Sequence, residues 1–154
     1  MFPLLRSLKA LNNISIDFSV FKTQVQQLIQ STPSYDTVEN IGEAKLRGAE
    51  MSLAHYWQSI DYGVSLFYLD AVNSKTQQRL IRRPRSTFTG FINKRFGDDG
   101  LLSTKLHCES DRAQSATLTT AGFCLFDIGF DYHVGDSATW SADMSNVFDK
   151  QYIL

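Results

Sequence analysis

Cys124-Leu-Phe-Asp-Ile-Gly-Phe-Asp-Tyr-His133 changes character at every residue. Cys124, Phe126, Ile128, Phe130 and Tyr132 make one set; Leu125, Asp127, Gly129, Asp131 and His133 make the other. Successive side chains of a strand point to opposite faces, so this stretch predicts a strand with one apolar face and one wet face. The run after it repeats the pattern, with Ala138, Trp140, Ala142 and Met144 against Thr139, Ser141, Asp143 and Ser145. Further back, Ile14, Ile16, Phe18 and Val20 oppose Ser15, Asp17, Ser19 and Phe21, and Tyr62, Val64, Leu66 and Tyr68 oppose Asp61, Gly63, Ser65 and Phe67. These four runs meet the period-two test well. Ala44–Trp57 and Thr87–Phe96 are weaker, because polar or small residues occur on both faces. In the former, Glu50 shares a face with Gly48, Ser52 and Ala54, which requires a wet interior or a partner.

With Leu101–Glu109 the alternation predicts about seven strands, at Asn13–Phe21, Ala44–Trp57, Asp61–Asp70, Thr87–Phe96, Leu101–Glu109, Phe123–His133 and Ala138–Phe148. The connectors run long, short, long, short, long, short: Lys22–Glu43, Gln58–Ile60, Ala71–Ser86, Gly97–Gly100, Ser110–Gly122 and Val134–Ser137. An up-and-down antiparallel meander in which every long loop falls on one edge is what a transmembrane β-barrel builds, with short periplasmic turns and long outward loops. The second set is rich in Asp, Ser, Thr and Gly, as a hydrated lumen requires. Tyr56, Trp57, Tyr62, Tyr68, Phe96 and Tyr132 sit near strand ends, as interfacial girdles do. A small soluble β-barrel or sandwich that binds a ligand shares the alternation, and differs in packing its apolar faces together.

Bulk properties narrow the function classes. The chain has 154 residues, 43% hydrophobic content and a formal net charge of −1, so its charge does not suit a dedicated nucleic-acid binder. No apolar run approaches the ~18 residues of a spanning helix, which leaves spanning strands untouched. Arg79, Arg82, Arg83 and Arg85 cluster around Pro84 without spaced aromatic platforms, and read as a solvated loop or as an anion or lipid-headgroup contact. Cys108 and Cys124 flank the Ser110–Gly122 loop almost symmetrically. Two small apolar side chains on one face is the simpler reading; a cross-strand disulfide, which is geometrically demanding, is the other. Residues 1–12 are unassigned, and the expectation is an irregular replacement for the preceding strand. They carry no apolar core or small-residue cleavage site of an export signal, so the chain is expected to begin partway through a longer protein.

Catalysis finds little support. His55, His107 and His133 are the imidazoles, and Glu109-Ser110-Asp111 beside His107 invites a triad. There is no G-x-S-x-G elbow, and strand neighbours point to opposite faces. The same objection meets a His107–Cys108 metal pair, and H-E-x-x-H, paired C-x-x-C and P-loop patterns do not occur. Asp127, Asp131 and Asp143 suggest either a solvated lumen wall or a cation site. The expectation is a non-enzyme with no catalytic, cofactor-binding or metal residues.

Four stretches carry a family resemblance. Asn146-Val-Phe-Asp-Lys-Gln-Tyr152 resembles the N-x-F-[DN]-x-x-Y signature near the C-terminus of TonB-dependent outer-membrane receptors. Glu39-Asn-Ile-Gly-Glu-Ala-Lys-Leu-Arg-Gly-Ala-Glu50 is similar to that family's strand opening, matched at Asn40, Gly42, Ala44, Gly48 and Glu50. Leu80-Ile-Arg-Arg-Pro-Arg85 resembles the Arg-Pro element after a long loop, and Phe18–Ile29 the strand-to-loop segment before the opening. Order and spacing fit over roughly residues 13–152. The flavour is closest to the vitamin B12 branch, and siderophore receptors share most of these features.

The resemblance implies a segment of a Gram-negative outer-membrane barrel that lies in the lipid bilayer and belongs to a receptor for energised uptake of a scarce nutrient. Cobalamin is the first expectation and an iron–siderophore the second. It implies coupling to the TonB complex through a plug domain. Residues 13–154 depart from the full pattern: the plug, the TonB-contacting box and the last aromatic-ended strand do not match, and about seven strands stand against twenty-two.

Overall fold

The computed structural model describes residues 3–11, 13–32, 36–40, 42–115, 117–135 and 137–153, with the side chains of 3–11, 30, 31 and 39 excepted. All its elements are strands: β1 (Pro3–Leu11), β2 (Ile14–Val25), β3 (Ile29–Ser31), β4 (Val38–Asn40), β5 (Ala44–Trp57), β6 (Ile60–Asn73), β7 (Ser86–Phe96), β8 (Gly100–Glu109), β9 (Arg112–Ala113), β10 (Thr119–Thr120), β11 (Phe123–Val134) and β12 (Ala138–Met144). One antiparallel sheet has the order β1-β2-β5-β6-β7-β8-β11-β12, so each long strand pairs with its neighbour in the chain. No described helix is long and apolar enough to cross a membrane.

The seven expected strands are present, and the unassigned N-terminal stretch supplies an eighth. Pro3–Leu11 pairs with β2 from Leu11↔Ile14 to Pro3↔Phe21. Met1, Phe2 and Asn12 lie outside the described residues. The short connectors are tight turns that need the left-handed region, supplied at Gln58 (φ 54°), Gly97 (φ 61°) and Gly135 (φ 58°). Two of the long connectors contain hairpins of their own, β3–β4 and β9–β10, which the alternation does not predict.

Register turns the alternation into rows. Phe18, Met51, Leu66, Phe88, Cys108 and Cys124 are successive partners across six strands. Two residues along, Ile16, Leu53, Val64, Gly90, Leu106 and Phe126 make the next row on the same face. In a sandwich these rows would be the core. Here Val64 is 41% exposed, Leu66 48%, Ile92 55% and Phe130 43%, and among the described residues the only other sheets are the two-stranded β3–β4 and β9–β10 hairpins of the long loops. Among the described residues the buried apolar side chains are Phe21, Ala44, Ala71, Leu80 and Phe123, scattered at the long-loop end. An apolar face this extensive and unpacked is unfavourable in water and favourable against lipid. The sandwich reading is therefore set aside.

The rows also correct the reading of the cysteines. Cys108 and Cys124 are direct cross-strand partners with Cα atoms 4.0 Å apart, and they are disulfide-bonded. The closer of the two antiparallel pair types brings backbones to about 4.5 Å, which puts facing sulfurs within bonding reach. Only the register decides that they face each other.

Candidate functional site

The face opposite the apolar rows carries the polar groups, and its long-loop end holds the densest set. His107 comes from β8, where alternation turns it away from Cys108. Its Nδ1 is 3.1 Å from Thr89 Oγ1 on β7, and its Nε2 is 3.4 Å from Glu109 Oε1. Glu109 Oε2 in turn accepts from Arg112 Nη1 at 3.5 Å, and Arg112 Nη2 donates to the Ile153 carbonyl. Arg112 is buried, so these partners offset the desolvation of its charge. Beside it the Phe123 and Tyr152 rings stack at 4.5 Å. On the other side of the sheet's middle, Ser19 donates to Glu50 at 3.3 Å. A wet interior thus receives Glu50, as its position requires.

The arginine cluster ties loops together. Arg82 N donates to the Ala113 carbonyl at 2.7 Å and its Nη2 to the Thr32 carbonyl at 3.0 Å, so one residue touches both neighbouring long loops. Arg79 Nη1 pairs with Asp111 Oδ2 at 2.9 Å. That hydrogen bond holds the Asp111 carboxyl below the usual carboxylate range; burial opposes it, and the positive charges of Arg79 and Arg85 add to it. Ser110 Oγ accepts from Arg85 N at 2.9 Å and Ser86 N at 3.0 Å. Below the tie, Leu80 closes over Ala44 and Ala71, with Val25, Leu28, Leu46 and Leu69 around them. The described residues of loops 26–43, 74–85 and 110–122 are therefore tied into one connected platform. Neither reading of the cluster from sequence anticipated this, because the partners lie about thirty to fifty residues away.

The triad residues do not converge. Ser110 Oγ is occupied by backbone amides, His107 by Thr89 and Glu109, and Asp111 by Arg79. His55 Nδ1 meets Tyr62 Oη at 2.8 Å on the apolar face, and His133 Nδ1 meets Thr139 Oγ1 at 2.9 Å near the short turns. Asp127, Asp131 and Asp143 share the wet face and have separate partners. Asp127 accepts from Asn146 N at 2.8 Å and Asp131 from Ser141 Oγ at 2.6 Å, while Asp143 faces Gly129. Among the described residues no three His, Cys, Asp or Glu side chains come close enough to hold a metal ion.

The motif residues have physical roles. Asn40 Oδ1 accepts from Gly42 N at 2.8 Å, and Gly42 adopts φ 78° as the chain turns into β5. Gly48 lies beneath Phe21: a Cβ there would come 2.5 Å from Phe21 Cζ and 2.2 Å from the Tyr68 carbonyl oxygen. Asn146, at φ 51°, accepts from Lys150 N at 2.9 Å and donates to the Lys150 carbonyl at 3.1 Å, closing the turn after β12. Phe148 then meets Phe126 on the apolar face, and Tyr152 meets Phe123 on the wet face.

The family described as TonB dependent receptor-like, beta-barrel matches residues 6–147. The vitamin B12 transporter BtuB of Vibrio vulnificus is 27% identical over 143 residues, covering 90% of this chain and 23% of its own length. BtuB of Photobacterium profundum is 27% identical over 150 residues, covering 90% and 24%. Among solved structures, the ferric yersiniabactin uptake receptor FyuA from Yersinia pestis superimposes with a TM-score of 0.79 at 14% identity, over 96% of this chain and 24% of its own. The copper transporter OprC gives 0.78 at 21%, over 95% and 24%. The chain spans about a quarter of the length of these relatives. With the meander, the loop asymmetry and the unpacked apolar face, the match means that this chain belongs to the TonB-dependent receptor β-barrel family, Gram-negative outer-membrane proteins rather than enzymes.

Proposed function

We propose that the chain forms wall and outward loops of a TonB-dependent receptor for energised uptake of a scarce nutrient, with cobalamin as its substrate. The observation that carries this is the platform at the long-loop end, where three loops are tied into one surface by Arg79, Arg82 and Ser110. Long loops are the outward ones in such barrels, so this surface meets solutes before they enter the lumen. The BtuB relatives, both named as vitamin B12 transporters, favour cobalamin. An iron–siderophore is the second reading, favoured by likeness in fold to FyuA. Residues 13–154 contribute part of a longer barrel, and the TonB complex acts through a plug domain that this stretch does not match.

The wall alone does not transport. Only a closed barrel satisfies every backbone polar group in hydrocarbon, and β1 and β12 do not pair with each other. The test grafts residues 13–152 into the matching part of a BtuB barrel and measures labelled cobalamin uptake in a host lacking its own receptor. TonB-dependent uptake supports cobalamin. Uptake of a ferric siderophore without cobalamin transfers the proposal to the second substrate, and import by the isolated chain in liposomes overturns the wall reading.

A further inference from the structure

The apolar face ends, at its long-loop edge, in a row of charge. Val20, Ala49, Tyr68 and Ser86 are cross-strand partners, and two residues further on lie Lys22, Arg47 and Asp70. The next row on this face brings Gln24, Lys45 and Val72. Strand spacing sets the Cα atoms of Lys22, Lys45 and Arg47 within roughly 5–9 Å of one another. Arg47 is held by Asp70 at 2.8 Å, and Glu43 is turned to the Gln24 amide at 3.3 Å. Lys22 and Lys45 are exposed, and neither has a described carboxylate within ion-pair distance. Directly below is an apolar groove of about 440 Å³, walled on this face by Phe18, Met51, Leu66, Tyr68, Phe88 and Cys108, with small Ala49 and Ser86 at its upper edge.

We propose that this is a binding site for a phosphorylated, acylated lipid of the outer leaflet. Its phosphate would bridge Lys22 and Lys45 while an acyl chain fills the groove. Charge complementarity at the rim and an apolar cleft beneath it are the two features such an amphiphile requires, and the register stacks them on one outward face. The opposite end of that face has a different character: Lys94 lies 5.1 Å over the Phe96 ring, among Trp57, Tyr132 and Trp140. The lysines and these apolar side chains of the groove lie on the face away from the lumen, so failure of this site would leave the uptake proposal intact.

The test is native mass spectrometry of the detergent-solubilised chain titrated with dimyristoyl phosphatidic acid, dimyristoyl phosphatidylcholine or inorganic phosphate. Phosphatidic acid is expected to bind at least tenfold more tightly than phosphatidylcholine, and inorganic phosphate not measurably. The double variant Lys22→Gln with Lys45→Gln should lose about 30-fold for phosphatidic acid, roughly fivefold per lysine, and nothing for phosphatidylcholine. Ala49→Phe should weaken both lipids, and Lys94→Gln neither. Equal binding of the two lipids, indifference to the lysine pair, or equally tight binding of free phosphate would each overturn the proposal.

Discussion

Val64 and Ser65 are neighbours in β6 and face opposite solvents, so they test the barrel assignment directly. Val64 lies four residues from Tyr68 and four from Ile60, the ends of the apolar band on its strand. At about 3.4 Å per residue this is ~14 Å of strand each way, and a tilt of ~40° leaves about 10 Å of depth. Val64 therefore sits near the middle of a band about 25 Å tall, where an arginine on the lipid face costs about 2–4 kcal/mol. Ser65 opposes Ser52 and Thr89 on the wet face, where a new charge keeps its water. Val64→Arg should lower the association constant for phosphatidylcholine vesicles by about 30- to 700-fold at ~1.4 kcal/mol per decade. Ser65→Arg should change it less than about threefold, a shift within ±0.7 kcal/mol. Flotation of the labelled BtuB graft carrying residues 13–152, in which the barrel is closed, with increasing lipid measures both. If Ser65→Arg loses as much as Val64→Arg, or if neither loses anything, the assignment of the two faces is wrong.

The remaining predictions concern residues that hold the wall in shape. Gly48→Val should destabilise by about 1–3 kcal/mol, because the Tyr68 carbonyl in its way is backbone, whereas Gly129→Ala meets only the tip of Asp143 at 2.6 Å and should lower the urea midpoint far less. Asn146→Ala removes both hydrogen bonds to Lys150 and should cost about 1–2 kcal/mol, read as faster hydrogen exchange over residues 145–153. Cys108→Ser opens a bridge across 16 residues and should cost about 3 kcal/mol in denaturant titrations under oxidising conditions, with no effect under reducing ones. Asp111 has a lowered pKa in the folded chain, so its tie to Arg79 is fully present above the unfolded carboxylate value of about 3.9 and is lost as pH falls through the lower folded value. Spin labels on loops 74–85 and 110–122 should keep a narrow distance distribution from pH 7 to about pH 4 and broaden only in stronger acid. Asp111→Asn should broaden it at every pH.

The four resemblance motifs were readable one residue at a time, yet their roles were not. Gly48 could be counted as a match from sequence, but that it makes room for Phe21 depends on β2 and β5 pairing as Phe21↔Gly48. Asn146 and Tyr152 likewise stand in a recognisable pattern, while the turn lock and the ring stack on Phe123 exist only once the chain after β12 folds back along β11. The Arg79–Arg85 cluster misled most, since a run of cations next to a proline resembles any solvated loop until its partners at Thr32, Asp111 and Ala113 are brought over it.

Sequence by itself determined what is local and periodic. The two-residue repeat sets which side chains share a face, and turn-rich stretches set where strands end and which edge carries the long loops, so the meander and its two solvents were legible. Tertiary structure decided whatever depends on which strand residue stands opposite which. Pro3–Leu11 has no clean alternation and is a strand because β2 offers it a ladder of backbone partners. Cys108 and Cys124 are bonded because the β8–β11 register makes them face, and a slip of one residue would have sent them to opposite sides of the sheet. Periodicity is written into each strand separately, whereas register is fixed by the pairing of strands, and no single strand contains it.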